Sequence, residues 1–194
     1  MLFRSLLHLN FSYVTGVFVV VLALVLSVLY IVYALSPINT IILWVVSALI
    51  AFISGLSVLM GYYRRGKGTL LWLPRSLAEY LTERAKKTKR GVEAAALGGM
   101  TVVAELPFTV GIVLILTLII KDFYFYTQLE VIVIYALIVT LPLLIITTML
   151  GAGERLSRVQ RWREANKDFF QYASGFGLLL ISLYIVVFHV ARMT

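Results

Sequence analysis

At 194 residues, 61% of them hydrophobic and 13% charged, with a mean hydropathy of +0.99, the chain is too apolar for a soluble domain, which is roughly half apolar with about a quarter of its residues charged. Lipid must cover part of it, so this is an integral membrane protein. Zero cysteines exclude disulfides, thiol redox chemistry and cysteine-ligated metals, and the two histidines, His8 and His189, lie near opposite ends and make a poor shared metal site.

In chain order, no Asp, Glu, Lys or Arg occurs between Arg4 and Arg64. A spanning helix needs about 20 mostly apolar residues, and five segments qualify: Val14–Leu35, Ile38–Gly61, Gly98–Ile120, Leu129–Leu150 and Tyr172–Val190. These runs do not alternate, so a transmembrane barrel is not expected. The first run is too long for a signal peptide and has no clear small-residue cleavage site. The expected fold class is an all-α polytopic membrane protein: a single domain over 1–194 with five transmembrane helices.

Five spans place the N-terminus, the 62–97 loop and the 151–171 loop on one side. That side holds 15 of the 17 basic residues; Lys121 and Arg192 fall on the other. The positive-inside rule then predicts a cell-membrane protein with a cytoplasmic N-terminus and an outside C-terminus. This asymmetry accounts for the net charge of +8, so nucleic acid is not an expected partner.

The 70–87 stretch predicts an amphipathic helix, with Pro74 in its first turn and Leu73, Leu77, Tyr80 and Leu81 on one face. The 151–167 stretch is similar, with Leu156, Val159 and Trp162 in one stripe. Such basic helices lie in the headgroup layer or dock a partner protein. Aromatics gather where spans end: Tyr62, Tyr63 and Trp72, then Phe123 to Tyr126, then Phe169, Phe170 and Tyr172. These belts set depth in the bilayer and do not report chemistry. Ser47, Ala51, Ser54 and Ser57 mark a close-packing face on the second span, and His189 is expected at the interface.

The third span holds the one ionisable group well inside a span. Glu105 stands two residues before Pro107, where an ionised carboxylate costs at least about 2.5–3.5 kcal/mol on insertion scales. Pro107 removes a helical hydrogen bond and frees the carbonyl of Val103. Broken helices of this kind line substrate pathways in transporters. Thr101 and Thr109 could add ligands or bond back to their own helix. The fourth span repeats the pattern with Thr140 and Pro142, followed by Thr147 and Thr148. The candidate pathway residues are therefore Glu105, Pro107, Phe108, Thr109, Thr140 and Pro142. No Ser-His-Asp, paired-carboxylate or metal-ligand set is present, so neither an enzyme nor a cofactor is expected.

Ser54-Gly-Leu-Ser-Val-Leu-Met-Gly-Tyr-Tyr63 and Ser174-Gly-Phe-Gly-Leu-Leu-Leu-Ile-Ser-Leu-Tyr184 are loosely alike and cross in opposite directions, the mark of an inverted repeat. Together with Glu105-Leu-Pro-Phe-Thr-Val-Gly111, Tyr135-Ala-Leu-Ile-Val-Thr-Leu-Pro142, Glu154-Arg-Leu and Trp162-Arg-Glu, the second half resembles the cytochrome c biogenesis transmembrane proteins, the CcdA/DsbD family. The resemblance covers about residues 98–190 and is looser over 14–63. It implies two inverted three-helix repeats that carry electrons from cytoplasmic thioredoxin through two cysteines, each beside a proline. This chain departs from the pattern twice. The family's Pro-Cys-Thr is Pro107-Phe108-Thr109 here, and the first helix of the first repeat is missing. The resemblance therefore implies an incomplete, two-plus-three inverted repeat with no thiol–disulfide reaction. Two classes of function remain: a non-catalytic subunit joined to other membrane subunits or to copies of itself, which the missing helix and cysteines favour, and a transporter of a proton, cation or small solute around Glu105.

Overall fold

The computed structural model of the protein describes residues 2–61, 83–84, 88, 90–151, 161–162 and 165–191, and every regular element among them is helical. The elements are α1 (Leu2–Gly61), α2 (Gly91–Ala104), α3 (Leu106–Ile120), α4 (Phe125–Gly151) and α5 (Lys167–Ile185), the last running into a π-helical turn at Val186–Val190. The all-α membrane fold read from the sequence is present. Among the described residues four helical stretches are long and apolar enough to cross a bilayer, and α2 with α3 make a fifth if the two count as one span.

α1 holds the first two spans, Leu7–Ser36 and Asn39–Met60. Helical structure continues through Ser36 and Pro37, between the first two expected spans, and the chain kinks at Asn39, whose φ of −165° and ψ of 98° are extended. The Asn39 side-chain oxygen accepts the Ile42 N–H at 3.2 Å. This is an N-cap that satisfies a backbone donor the second helix cannot satisfy itself.

Two compact units emerge from the packing. One comprises Met1–Ala23, Gly68–Glu105 and Ile132–Ala165; the other comprises Leu24–Lys67, Leu106–Val131 and Asn166–Thr194. In the first unit, the start of the first span runs parallel to α2, because His8 and Ser12 lie at Gly91, Tyr13 at Gly98, and Val20 at Gly99. The helices touch backbone to backbone. A Cβ on Gly16 would sit 2.0 Å from the Ala95 carbonyl oxygen, and one on Gly98 2.2 Å from that of Tyr13. Side chain-free surfaces let helices approach this closely in lipid, where no hydrophobic force drives them together.

In the second unit, the second span and α5 pack antiparallel. Trp44 stacks on His189 with ring centroids 4.0 Å apart, and the Ser182 hydroxyl donates to the Ala48 carbonyl at 2.9 Å. Gln171 donates its amide to the Val58 and Leu59 carbonyls, each at 2.9 Å. Midway, Gly55 and Gly175 face one another, each close to the other's carbonyl oxygen. The two Ser-Gly segments that look alike in sequence are thus packing partners running in opposite directions. Three of the four residues read as a small-residue face, Ser47, Ala51 and Ser54, are buried, and Gly111 of α3 lies against Ile50 and Ala51; the fourth, Ser57, is half-buried and returns its hydroxyl to the Ile53 carbonyl at 2.7 Å.

At one corner of the same unit, Gln128 is buried, and its two amide N–H groups are shared among the Ile120, Lys121 and Phe123 carbonyls and the Tyr33 hydroxyl. Tyr33 in turn donates to the Lys121 carbonyl at 2.7 Å. One side chain thereby caps carbonyls that the end of α3 leaves without helical partners.

Most of the 70–87 and 151–167 amphipathic stretches lie outside the described residues. Of those that are described, Glu83, Arg84, Arg161, Trp162 and Ala165 are helical and exposed, and Asn166 is a half-buried turn residue before α5. Of the expected aromatic belts, Phe123 to Tyr126, Phe169 and Tyr172 are exposed, as anchoring side chains should be; Tyr62, Tyr63 and Trp72 lie outside the described residues.

Candidate functional site

The third span expected over 98–120 is not one helix. α2 begins earlier, at Gly91, and stops at Ala104; Glu105 takes φ −90° and ψ 0°, and α3 starts at Leu106. That conformation is the sparsely populated bridge region, where functional residues often sit. The Glu105 N–H still bonds back to the Thr101 and Val102 carbonyls, at 3.0 and 3.1 Å. Glu105 therefore closes α2 as its C-cap. Pro107 comes second in α3, where a missing N–H costs nothing because no helical acceptor exists for it. The interruption thus falls on the carboxylate-bearing residue itself.

With 14 and 15 residues, the two helices are each about 21–23 Å long at 1.5 Å per residue, short of a core of roughly 30 Å. Glu105 is half-buried. One turn before it, Thr101 accepts the Tyr13 hydroxyl at 3.0 Å and donates to the Leu97 carbonyl at 2.9 Å. Tyr13, Thr101 and Glu105 all belong to the first unit.

The other candidate residues are dispersed. Thr109 belongs to the second unit and bonds back to the Leu106 carbonyl at 3.4 Å; Pro107 and Phe108 are helical residues of α3 in that unit. Thr140 is buried in the first unit, but its hydroxyl returns to the Ala136 and Leu137 carbonyls of its own helix, at 2.8 and 3.1 Å. Pro142 is exposed, and α4 runs unbroken through it from Phe125 to Gly151. The expectation of two proline-interrupted spans is corrected here: one is interrupted and the other is continuous. The lost N–H of Pro142 is absorbed within a 27-residue helix that keeps its remaining ladder.

His189, expected at the interface, is half-buried, stacked on Trp44 and edge-on to Tyr184 at 6.2 Å. Tyr13, Gln128, Gln171 and Ser182 are polar side chains that the sequence reading passed over. Each lies in or beside an apolar run, a pattern that marks the residue but not its distant partner. No protein-family model, curated protein or solved structure matches the chain, so the side chains themselves carry the functional reading.

Proposed function

We propose that the protein is a membrane transport component that binds a small ion or solute at Glu105. It would sit in the cell membrane with its N-terminus cytoplasmic and its C-terminus outside. The observation that carries this reading is a helix that ends on a half-buried carboxylate partway through an apolar span. Non-helical backbone at membrane depth is tolerated where protein buries it or where it lines a water-filled cavity, and interrupted helices place substrate sites in known transporter folds. The CcdA/DsbD resemblance contributes a scaffold to this reading and no redox chemistry, because Phe108 occupies the position of the family's cysteine.

The test is reconstitution. Proteoliposomes holding the wild-type chain should move ions or small solutes faster than empty liposomes, and a rate equal to the empty control removes the reading. Orientation is checked separately, since a cysteine-free chain makes any introduced thiol unique. Tyr124→Cys should react with an impermeant maleimide from outside the cell, and Arg161→Cys only after the membrane is opened.

A second reading, a non-catalytic subunit of a larger membrane complex, draws on the exposure of the later helices. Of the most apolar stretches, 17% of α4 and 22% of the Gln171–Val190 span are buried, against 39% of the second span. A partner subunit could cover those faces as lipid does. Mass spectrometry of the intact assembly in gentle detergent decides it, and a stoichiometric companion together with absent flux would favour this reading.

A further inference from the structure

Resting on the transport reading, we infer that the cargo at Glu105 is the proton, relayed along the seam where the first span and α2 cross. The chemistry of the site narrows the choice. Among the described residues no three His, Cys, Asp or Glu side chains gather to hold a metal ion, and hard cations want six or more oxygens around them. A carboxylate repels anions. A proton needs only one basic oxygen with hydroxyl groups that can pass it on.

The seam supplies such groups in sequence. His8 is exposed, and its ring lies against Gly91 at the start of α2 together with the Ser12 hydroxyl; a Cβ on Gly91 would be 2.8 Å from each. Further along, half-buried Tyr13 donates to half-buried Thr101. Thr101 lies one turn before Glu105, which places the two side chains on one helix face. Burial thus rises from an exposed imidazole to half-buried hydroxyls and a half-buried carboxylate. Hydroxyls donate and accept at once, and an imidazole does so through its two nitrogens. The close glycine contacts at Gly16, Gly98 and Gly99 hold the two helices in register, with His8 and Ser12 beside Gly91 and Tyr13 bonded to Thr101 further along; Thr101 gives its own hydrogen to the Leu97 carbonyl, so its hydroxyl turns or a water intervenes when it serves Glu105. The step balances without a co-reactant: an O–H bond forms on Glu105 as another breaks on its donor, and water supplies the proton at one end and takes it at the other. Tyr13 and Thr101 are positioning residues in this scheme.

The experiment uses the full chain in proteoliposomes loaded with potassium, with valinomycin setting the membrane potential and a pH-sensitive dye reporting proton movement. Wild type should exceed empty liposomes, Glu105→Gln should fall to the empty level, and Glu105→Asp should retain part of the flux. Tyr13→Phe should slow it about threefold to tenfold, the rate equivalent of one lost hydrogen bond, with circular dichroism and elution volume unchanged. In parallel liposomes without valinomycin, which itself carries rubidium, uptake of radiolabelled sodium or rubidium without proton movement overturns the proton assignment and leaves the transport reading standing. Movement of none of the three overturns both. A well-folded Tyr13→Phe at the wild-type rate overturns the relay along the seam.

Discussion

α3 and α4 each carry a proline next to threonine in an apolar run, yet only the first of them stands at a helix break. Pro107 stands second in α3, two residues after the Glu105 cap that closes α2, whereas Pro142 lies deep inside a helix that continues past it. Proline therefore does not decide the break, although the residue before any proline is disfavoured in the helical region. What differs is the company each helix keeps. Within its unit, α2 is pinned to the first span by backbone contacts at Gly16, Gly98 and Gly99. α4 is the least buried of the long spans and presents Leu137, Ile138, Leu141 and Ile145 outward. Close contacts with a neighbour fix where a helix sits and ends, and α2 has such contacts.

The largest effect should come from removing that company. Gly16→Val places branched carbon where even a Cβ would meet the Ala95 carbonyl at 2.0 Å. Because the obstacle is backbone, the helices must part, at a cost of about 3 kcal/mol or more. Thermal unfolding followed by circular dichroism in detergent should show a large drop in Tm, with poor recovery of monodisperse protein. A variant that melts with the wild type would show that the first span does not hold α2, and the contrast with α4 would lose its cause.

The two prolines provide the next step down. Pro142→Ala restores an interior helical hydrogen bond and removes a ring clash, a gain of up to about 3 kcal/mol on soluble-helix scales. Pro107→Ala, in a first turn, should stay within about 0.5 kcal/mol. Melting both variants side by side sharpens the comparison. Equal shifts would mean that Pro107 is strained after all and helps make the break.

Four of the five expected spans were legible in the sequence as single helical stretches, because bilayer thickness demands long apolar runs; the third proved to be two helices, α2 and α3. The small-residue face of the second span was legible for a similar reason, since Ser47, Ala51 and Ser54 recur at helical spacing. Glu105 stood out as a carboxylate in an apolar run. The location of the interruption was not legible, because Thr-Leu-Pro142 and Glu-Leu-Pro107 give the same local signal and packing alone separates them. The bond from Tyr13 to Thr101, and those from Gln171 to Val58 and Leu59, join residues far apart in the chain. No local pattern announces them; they exist because glycines let particular helices approach. Gln128 was hidden in the same way, for its acceptors are carbonyls and carbonyls look alike in every sequence.

The smallest effect tests the role of glycine contacts in the absence of any proline. α5 carries two glycines with opposite surroundings. A Cβ on Gly175 would lie 2.5 Å from Leu59 Cγ and 3.3 Å from the Gly55 carbonyl oxygen, while nothing stands within 4 Å of one on Gly177. Gly175→Ala must push Leu59 aside and open the crossing, at a cost of about 1 kcal/mol or somewhat more. Gly177→Ala meets open space and gains helix propensity, up to about 1 kcal/mol. The two substitutions, two residues apart on one helix, should therefore move Tm in opposite directions. If both lower it, the Gly177 face is in contact with something the chain itself does not supply, and a companion subunit against α5 becomes the better reading of that face.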